Sequence, residues 1–202
     1  STEFERLGGK TCRLGLPDWD LSNPDVVQKV ISRIRRLVQK GDSVFIWISL
    51  PCQPWCSWQH VNLALNPHRP QLEADRAESI AMLKLLLTAL KQVQCPKVHV
   101  AFEWPISCSG WNLSEAQEIC QLLPVKCCFD GCCYGIKDDS GRLLKKPWRV
   151  QTDCPRLLTV LNRRCPRNHF HGQCRGHSAT RSGLYSRRFA RCVAPVLQAP
   201  CT

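Results

Sequence analysis

Cys52 lies in the segment Pro51-Cys52-Gln53-Pro54-Trp55-Cys56-Ser57-Trp58-Gln59-His60, directly after the apolar run Val44-Phe45-Ile46-Trp47-Ile48. Glu103 closes a second apolar run, Val98 to Phe102, and is followed by Trp104-Pro105. A thiolate is a nucleophile, and a carboxyl group kept protonated by burial is a general acid. Cys52 and Glu103 at neighbouring strand ends would suit addition to an electron-poor ring together with its protonation. A plainer reading stands beside this one, a packed loop and a carboxylate that caps a helix.

A second constellation is Cys165-Pro166-Arg167-Asn168-His169-Phe170-His171-Gly172-Gln173-Cys174. It offers two thiols and two imidazoles within ten residues, and zinc takes four such ligands tetrahedrally. His169 and His171 flank one residue, so an extended backbone turns both to one side. The expected metal ligands are Cys165, His169, His171 and Cys174, with Cys154 or His177 as replacements. The alternative is a basic loop with unligated histidines.

Charge adds a partner. Residues 1–139 hold 15 basic and 15 acidic side chains, whereas residues 140–202 hold 13 basic ones and a single acid, Asp153. The whole excess of +12 therefore sits in the last third, which points to a polyanion and, first of all, to DNA or RNA. The tail is rich in arginine, whose planar fork suits phosphates and stacks on bases. Arg163, Arg164, Arg167, Arg175, Arg181, Arg187 and Arg188 are the candidate contacts, with Gln53, Trp55 and Trp58 from the cysteine loop. Tryptophan in a strand end is equally a core residue.

These residues need a scaffold. Asn23-Pro24-Asp25 is a helix start, with a cap, a proline at the first position and an acid in the first turn, and Gly41 ends that helix. Ser43–Ser49 and Lys97–Glu103 read as strands buried on both faces, as in a parallel sheet. Gln71–Gln94 and Asn112–Leu123 read as helices, Val125–Phe129 as a third strand, and Leu144–Thr152 as holding a fourth. Helices follow from Asp153 and over Gly183–Gln198. Strands alternating with helices predict one α/β domain over 1–202 with a mainly parallel sheet, a neutral body over 1–139 and a basic part over 140–202 that contains the Cys/His loop 165–174. No apolar run reaches the roughly 20 residues of a membrane span. Fifteen cysteines, an odd number with two adjacent pairs, suit thiols in a reducing compartment, nuclear or cytoplasmic.

Pro51-Cys52-Gln53-Pro54-Trp55 resembles the Pro-Cys-Gln nucleophile loop of C5 cytosine methyltransferases, and Phe102-Glu103-Trp104 sits where that family has Glu-Asn-Val. Tyr134-Gly135 with Trp148-Arg149-Val150, and Thr180 through Tyr185 to Val196, are similar to its later motifs. The resemblance implies a Rossmann-like fold and S-adenosylmethionine as methyl donor. It implies Cys52 as the nucleophile on cytosine C6, Glu103 as the acid at the ring edge, Arg149 as support for both, and a base flipped from the duplex. It matches Asp18 and Asp20 to a donor-contacting acid and sets Pro51 beside the donor. The family's Gly-rich donor loop is missing, since Gly8-Gly9 comes too early, so the first donor-binding strands are expected outside the chain. The cysteine and glutamate motifs, with Lys146-Pro147-Trp148, also resemble a domain of protist, dinoflagellate-type retrotransposon polyproteins. That likeness implies other polyprotein segments as neighbours. The competing function classes are a non-catalytic DNA/RNA-binding module and a zinc-stabilised interaction module.

Overall fold

The computed structural model describes residues 2–15, 18–174, 176 and 182–198. After a short helix α1 (Thr2–Arg6), α2 (Pro24–Gln39) begins where the sequence places its cap, with the Asn23 side chain accepting from the Asp25 amide at 2.9 Å. There follow β1 (Val44–Ile48), α3 (Trp58–Leu65), α4 (Pro70–Val93), β2 (Val98–Pro105), α5 (Ser114–Leu122), β3 (Val125–Asp130), β4 (Pro147–Thr152), α6 (Leu157–Leu161) and α7 (Arg187–Gln198).

The four strands form one mixed sheet in the order β1-β2-β4-β3. β1 pairs with β2 in parallel, Val44 opposite Val98 through Ile48 opposite Phe102. β4 is antiparallel to both β2 and β3. The fold is thus α/β as expected, but the sheet is not mainly parallel. The cause lies between β3 and β4. A parallel return needs a crossover of a dozen or more residues, usually a helix. Residues 131–146 form instead a 3₁₀ turn at Gly131–Tyr134 and a single bridge between Lys137 and Leu143, so the chain folds back alongside β3. β1, β2 and β3 still point one way, and the carboxyl ends of β1 and β2 open on the same edge.

Each sheet face carries its own core. On one side Ile31 and Ile34 of α2, Leu83, Leu87 and Leu90 of α4 and Ile119 of α5 pack on Val100, Phe102 and Trp104. On the other, Leu157 and Leu161 of α6 and Phe189 and Val193 of α7 pack on Ala101, Phe129, Trp148 and Val150. Covering both faces of the sheet makes three layers and fixes the strand ends between them. No described helix is long and apolar enough to cross a membrane.

Candidate functional sites: a strand-end thiol and carboxyl, and a Cys/His cluster

β1 and β2 are neighbours, so the residues just past them meet. Ser49 follows β1, Cys52 caps the 3₁₀ turn Gln53–Trp55, and Glu103 lies within the last turn of β2. Trp104 holds the loop down: its indole N–H donates to the Leu50 carbonyl at 2.9 Å. Glu103 is only 7% exposed. Its Oε2 accepts from the Tyr185 hydroxyl at 2.6 Å and from Ser49 Oγ at 3.1 Å. The Trp47 indole donates to the Tyr185 oxygen at 2.9 Å, and Tyr185 stacks on Phe189 with centroids 4.5 Å apart. Burial raises the Glu103 carboxyl above its ordinary value, against hydrogen bonds from Tyr185 and Ser49 and the charge of Lys146 that favour the carboxylate. Burial likewise pushes the Cys52 thiol up, while Lys146 pulls it down and Glu103 adds to the rise. The thiol and the carboxyl therefore feel each other, with Lys146 between the two preferences.

Not every expected member joins them. Arg149 pairs across the sheet with Trp104, whereas Glu103 pairs with Val150. Adjacent residues alternate faces, so the Arg149 guanidinium lies on the far side, 4.1 Å from the centre of the Trp111 ring and bonded to Gln151 and the Cys120 sulfur. Trp55 is 9% exposed, donates to Ser79 at 2.9 Å and has Arg76 over its ring, which removes it as a stacking surface. Trp58 is 58% exposed at the start of α3 and keeps its face to water, as do Gln53 and Pro51. Asp18 and Asp20 lie on an exposed turn and on no strand. The Asp20 carboxylate is taken by the amide and hydroxyl of Ser22 at 2.9 and 2.6 Å, so neither acid reaches a strand end.

Ser49, Trp47 and Lys146 are site residues that the sequence reading missed. The signal for the first two was their position at the end of the apolar run that feeds Cys52. Lys146 stands in the Lys146-Pro147-Trp148 motif, but nothing in the sequence placed it near Cys52 and Glu103. A 310 Å³ depression lined by Glu3, Arg6, Leu7 and Arg191 lies between α1 and α7, away from this chemistry.

The second site is a Cys₂His₂ cluster that could hold a metal ion. Its members are Cys132, Cys165, His169 and His171, whose ligand atoms all lie within 4.8 Å of one another. Three are those the spacing predicts. The fourth is not Cys174, whose sulfur lies 3.5 Å from Ser182 Oγ and packs on the second core. Cys132 replaces it because the 3₁₀ turn after β3 aims one thiol of the Cys132-Cys133 pair at the loop. Cys154 is buried elsewhere in the second core, and His177 lies outside the described residues. The Cys165 sulfur is 3.7 Å from His169 Nε2 and 3.4 Å from His171 Nε2. Bonds of about 2.3 Å to sulfur and 2.0–2.1 Å to nitrogen, at tetrahedral angles, set sulfur and nitrogen about 3.5 Å apart.

Outer partners orient these ligands, as metal sites require. Asn168 Oδ1 is 3.1 Å from His169 Nδ1, which leaves Nε2 for the cluster. The Arg167 amide, at φ 59°, donates to the Cys165 sulfur at 3.3 Å. Asp130 Oδ2 accepts from the Cys165 amide at 2.8 Å, and Oδ1 is buried with no hydrogen-bond partner among the described residues. Gly172 ties the loop to the body through its amide and the Leu143 carbonyl at 2.8 Å, and a Cβ there would stand 2.2 Å from the Asp138 carboxylate.

The candidate arginines lie mostly at the surface. Arg163, Arg164, Arg167, Arg187 and Arg188 are exposed, and Arg164 is 3.5 Å from Asp130. Arg175, Arg181 and Thr180 lie outside the described residues. No family model matches the chain, and neither does any curated protein or any solved structure.

Proposed function

We propose that this chain is a nucleic-acid-acting domain of the C5 cytosine methyltransferase type, in which Cys52 adds to a pyrimidine ring held at its edge by Glu103. The observation that supports it most is the buried Glu103 carboxyl near the end of β2, held by Tyr185 and Ser49, with Cys52 on the loop that follows β1. In the step proposed, the Cys52 sulfur forms a bond to C6. The ring electron pair moves toward C5 while the Glu103 proton hydrogen-bonds N3. C5 takes a proton from water and leaves hydroxide; hydroxide then removes a proton from C5, the electron pair restores the C5–C6 double bond, and the Cys52 thiolate leaves. Ring entry requires the Tyr185 hydroxyl to yield its place at the carboxyl. Lys146 favours the thiolate, which is the form that attacks.

The residues present do not fit a methyl donor. Asp18 and Asp20 face water on a turn, and no glycine-rich loop follows a strand among the described residues. That mismatch favours the second reading, a nucleic-acid-binding module without catalysis.

For the Cys₂His₂ cluster the ion proposed is Zn²⁺, on its two-thiol, two-imidazole donor set and sulfur–nitrogen separations. Four protein ligands leave no open position, so its role is structural.

The test of the function is covalent capture. An oligonucleotide carrying 2-pyrimidinone, which lacks the 4-amino group and accepts thiols at C6, is incubated with the chain and analysed by intact mass. An adduct on wild type that is absent from Cys52→Ala supports the reading. No adduct, or an equal one on the variant, leaves the binding module.

A further inference from the structure

His169 and His171 both turn their Nε2 atoms to Cys165. The residue between two such ligands must point the other way. That residue is Phe170, and it is 99% exposed, the most exposed of the large apolar side chains among the described residues. Neither neighbour can rotate to bury it without giving up its place in the cluster. The Gly172 tie to Leu143 fixes the end of the same segment. The ring is thus held in water by the geometry of the loop.

The residues that lead into it along the chain are cationic. Arg163, Arg164 and Arg167 precede it within seven residues, and all three are exposed. Arg167 is additionally pinned by its amide contact to Cys165. An exposed aromatic ring beside a short row of arginines is the makeup of a stacking platform on single-stranded nucleic acid. Every base has a π-face to lay on the ring, and the guanidinium forks take the flanking phosphates. A duplex hides its base faces, so it would offer the arginines phosphates but the phenylalanine nothing.

We infer that the Cys/His loop is a nucleobase platform. Phe170 stacks on an unpaired base, and Arg163, Arg164 and Arg167 hold the phosphates beside it. The inference rests on the reading of the chain as nucleic-acid-acting and on a metal in the cluster.

Zinc-loaded full chain is titrated into fluorescent single-stranded DNA and RNA 12-mers and into a duplex, with zinc content measured on each sample. Phe170→Ala should weaken single-strand binding about five- to hundred-fold and duplex binding far less, at unchanged zinc. Phe170→Trp should restore it. Equal single-strand affinity of wild type and Phe170→Ala, at full zinc, overturns the platform and leaves the nucleic-acid reading standing. Failure of wild type to bind any of the oligonucleotides overturns both.

Discussion

Cys52 and Cys165 are both half-buried thiols, and their neighbours differ in kind. Cys52 packs on the first core, and the Glu103 carboxyl, the Lys146 amine and the Cys56 and Cys108 thiols act on it electrostatically. Around Cys165 stand two imidazoles, a second thiol and backbone amides, nearly all from one loop. In the first environment burial pushes the thiol up, against the pull of Lys146. The second gathers lone pairs toward one point, an arrangement with little purpose unless a cation sits there. Similar side chains thus stand in two different settings, one beside the strand ends and one in a cluster that could hold a metal ion.

The widest separation between the two should come from the metal. Cys132→Ala should weaken zinc binding by more than about a hundredfold, since a structural site loses one of four ligands, while Cys174→Ala should keep one equivalent. Competition against a chromophoric chelator reads both. The opposite ranking would restore the loop-only ligand set.

The strand-end site should instead respond to apolar packing. Trp104 is 1% exposed and bonds the Leu50 carbonyl. Trp104→Ala should cost about 3–5 kcal/mol in urea unfolding of the zinc-loaded protein and loosen the Cys52 loop, with zinc stoichiometry unchanged. Coupled loss of zinc would show that the regions are not separate.

A pH series sharpens the contrast further. Burial lifts the folded Glu103 carboxyl above its unfolded value, so the native state keeps a proton that the unfolded chain releases. That contribution is whole below the unfolded carboxylate value and is lost as pH rises through the folded one. Glu103→Gln removes the loss. The Tm difference between variant and wild type should therefore shift in the variant's favour as pH rises from about 4 toward 7. A flat difference would mean that the folded and unfolded values of Glu103 coincide, so that burial does not raise it.

The smallest effect is reserved for Arg149. Its guanidinium lies over Trp111, on the far face from Glu103. Arg149→Lys should cost about 1 kcal/mol or less in the same urea unfolding and leave capture of 2-pyrimidinone intact. Loss of capture at full stability would return Arg149 to the site.

What the sequence disclosed follows the range of the physics involved. The cap at Asn23, the two buried strands and three of four metal ligands are local signals, carried by neighbouring residues. The fourth ligand, Cys132, lies far upstream, and only the turn at Gly131–Tyr134 brings it round. The direction of β4 was misread because strand pattern carries no orientation, and the missing crossover helix was the only clue. Arg149 was misplaced for a related reason, since its face depends on register with β2. Trp55 was assigned to bases by residue type, whereas its bond to Ser79 on α4 buries it. Lys146 reaches the site through the return of β4, a placement that its Lys-Pro-Trp motif does not reveal.

The central claim is that Cys52 and Glu103 act together on a pyrimidine ring. Reversible addition at C6 exchanges the C5 hydrogen of ordinary cytosine with solvent, with no methyl donor needed. The direct measurement is NMR of the cytosine C5 proton in a single-stranded oligonucleotide incubated in deuterated buffer with the zinc-loaded chain. The account predicts loss of that signal with wild type, none above background with Cys52→Ala and slower loss with Glu103→Gln. A C5 signal that persists with wild type under conditions of demonstrated binding would contradict it.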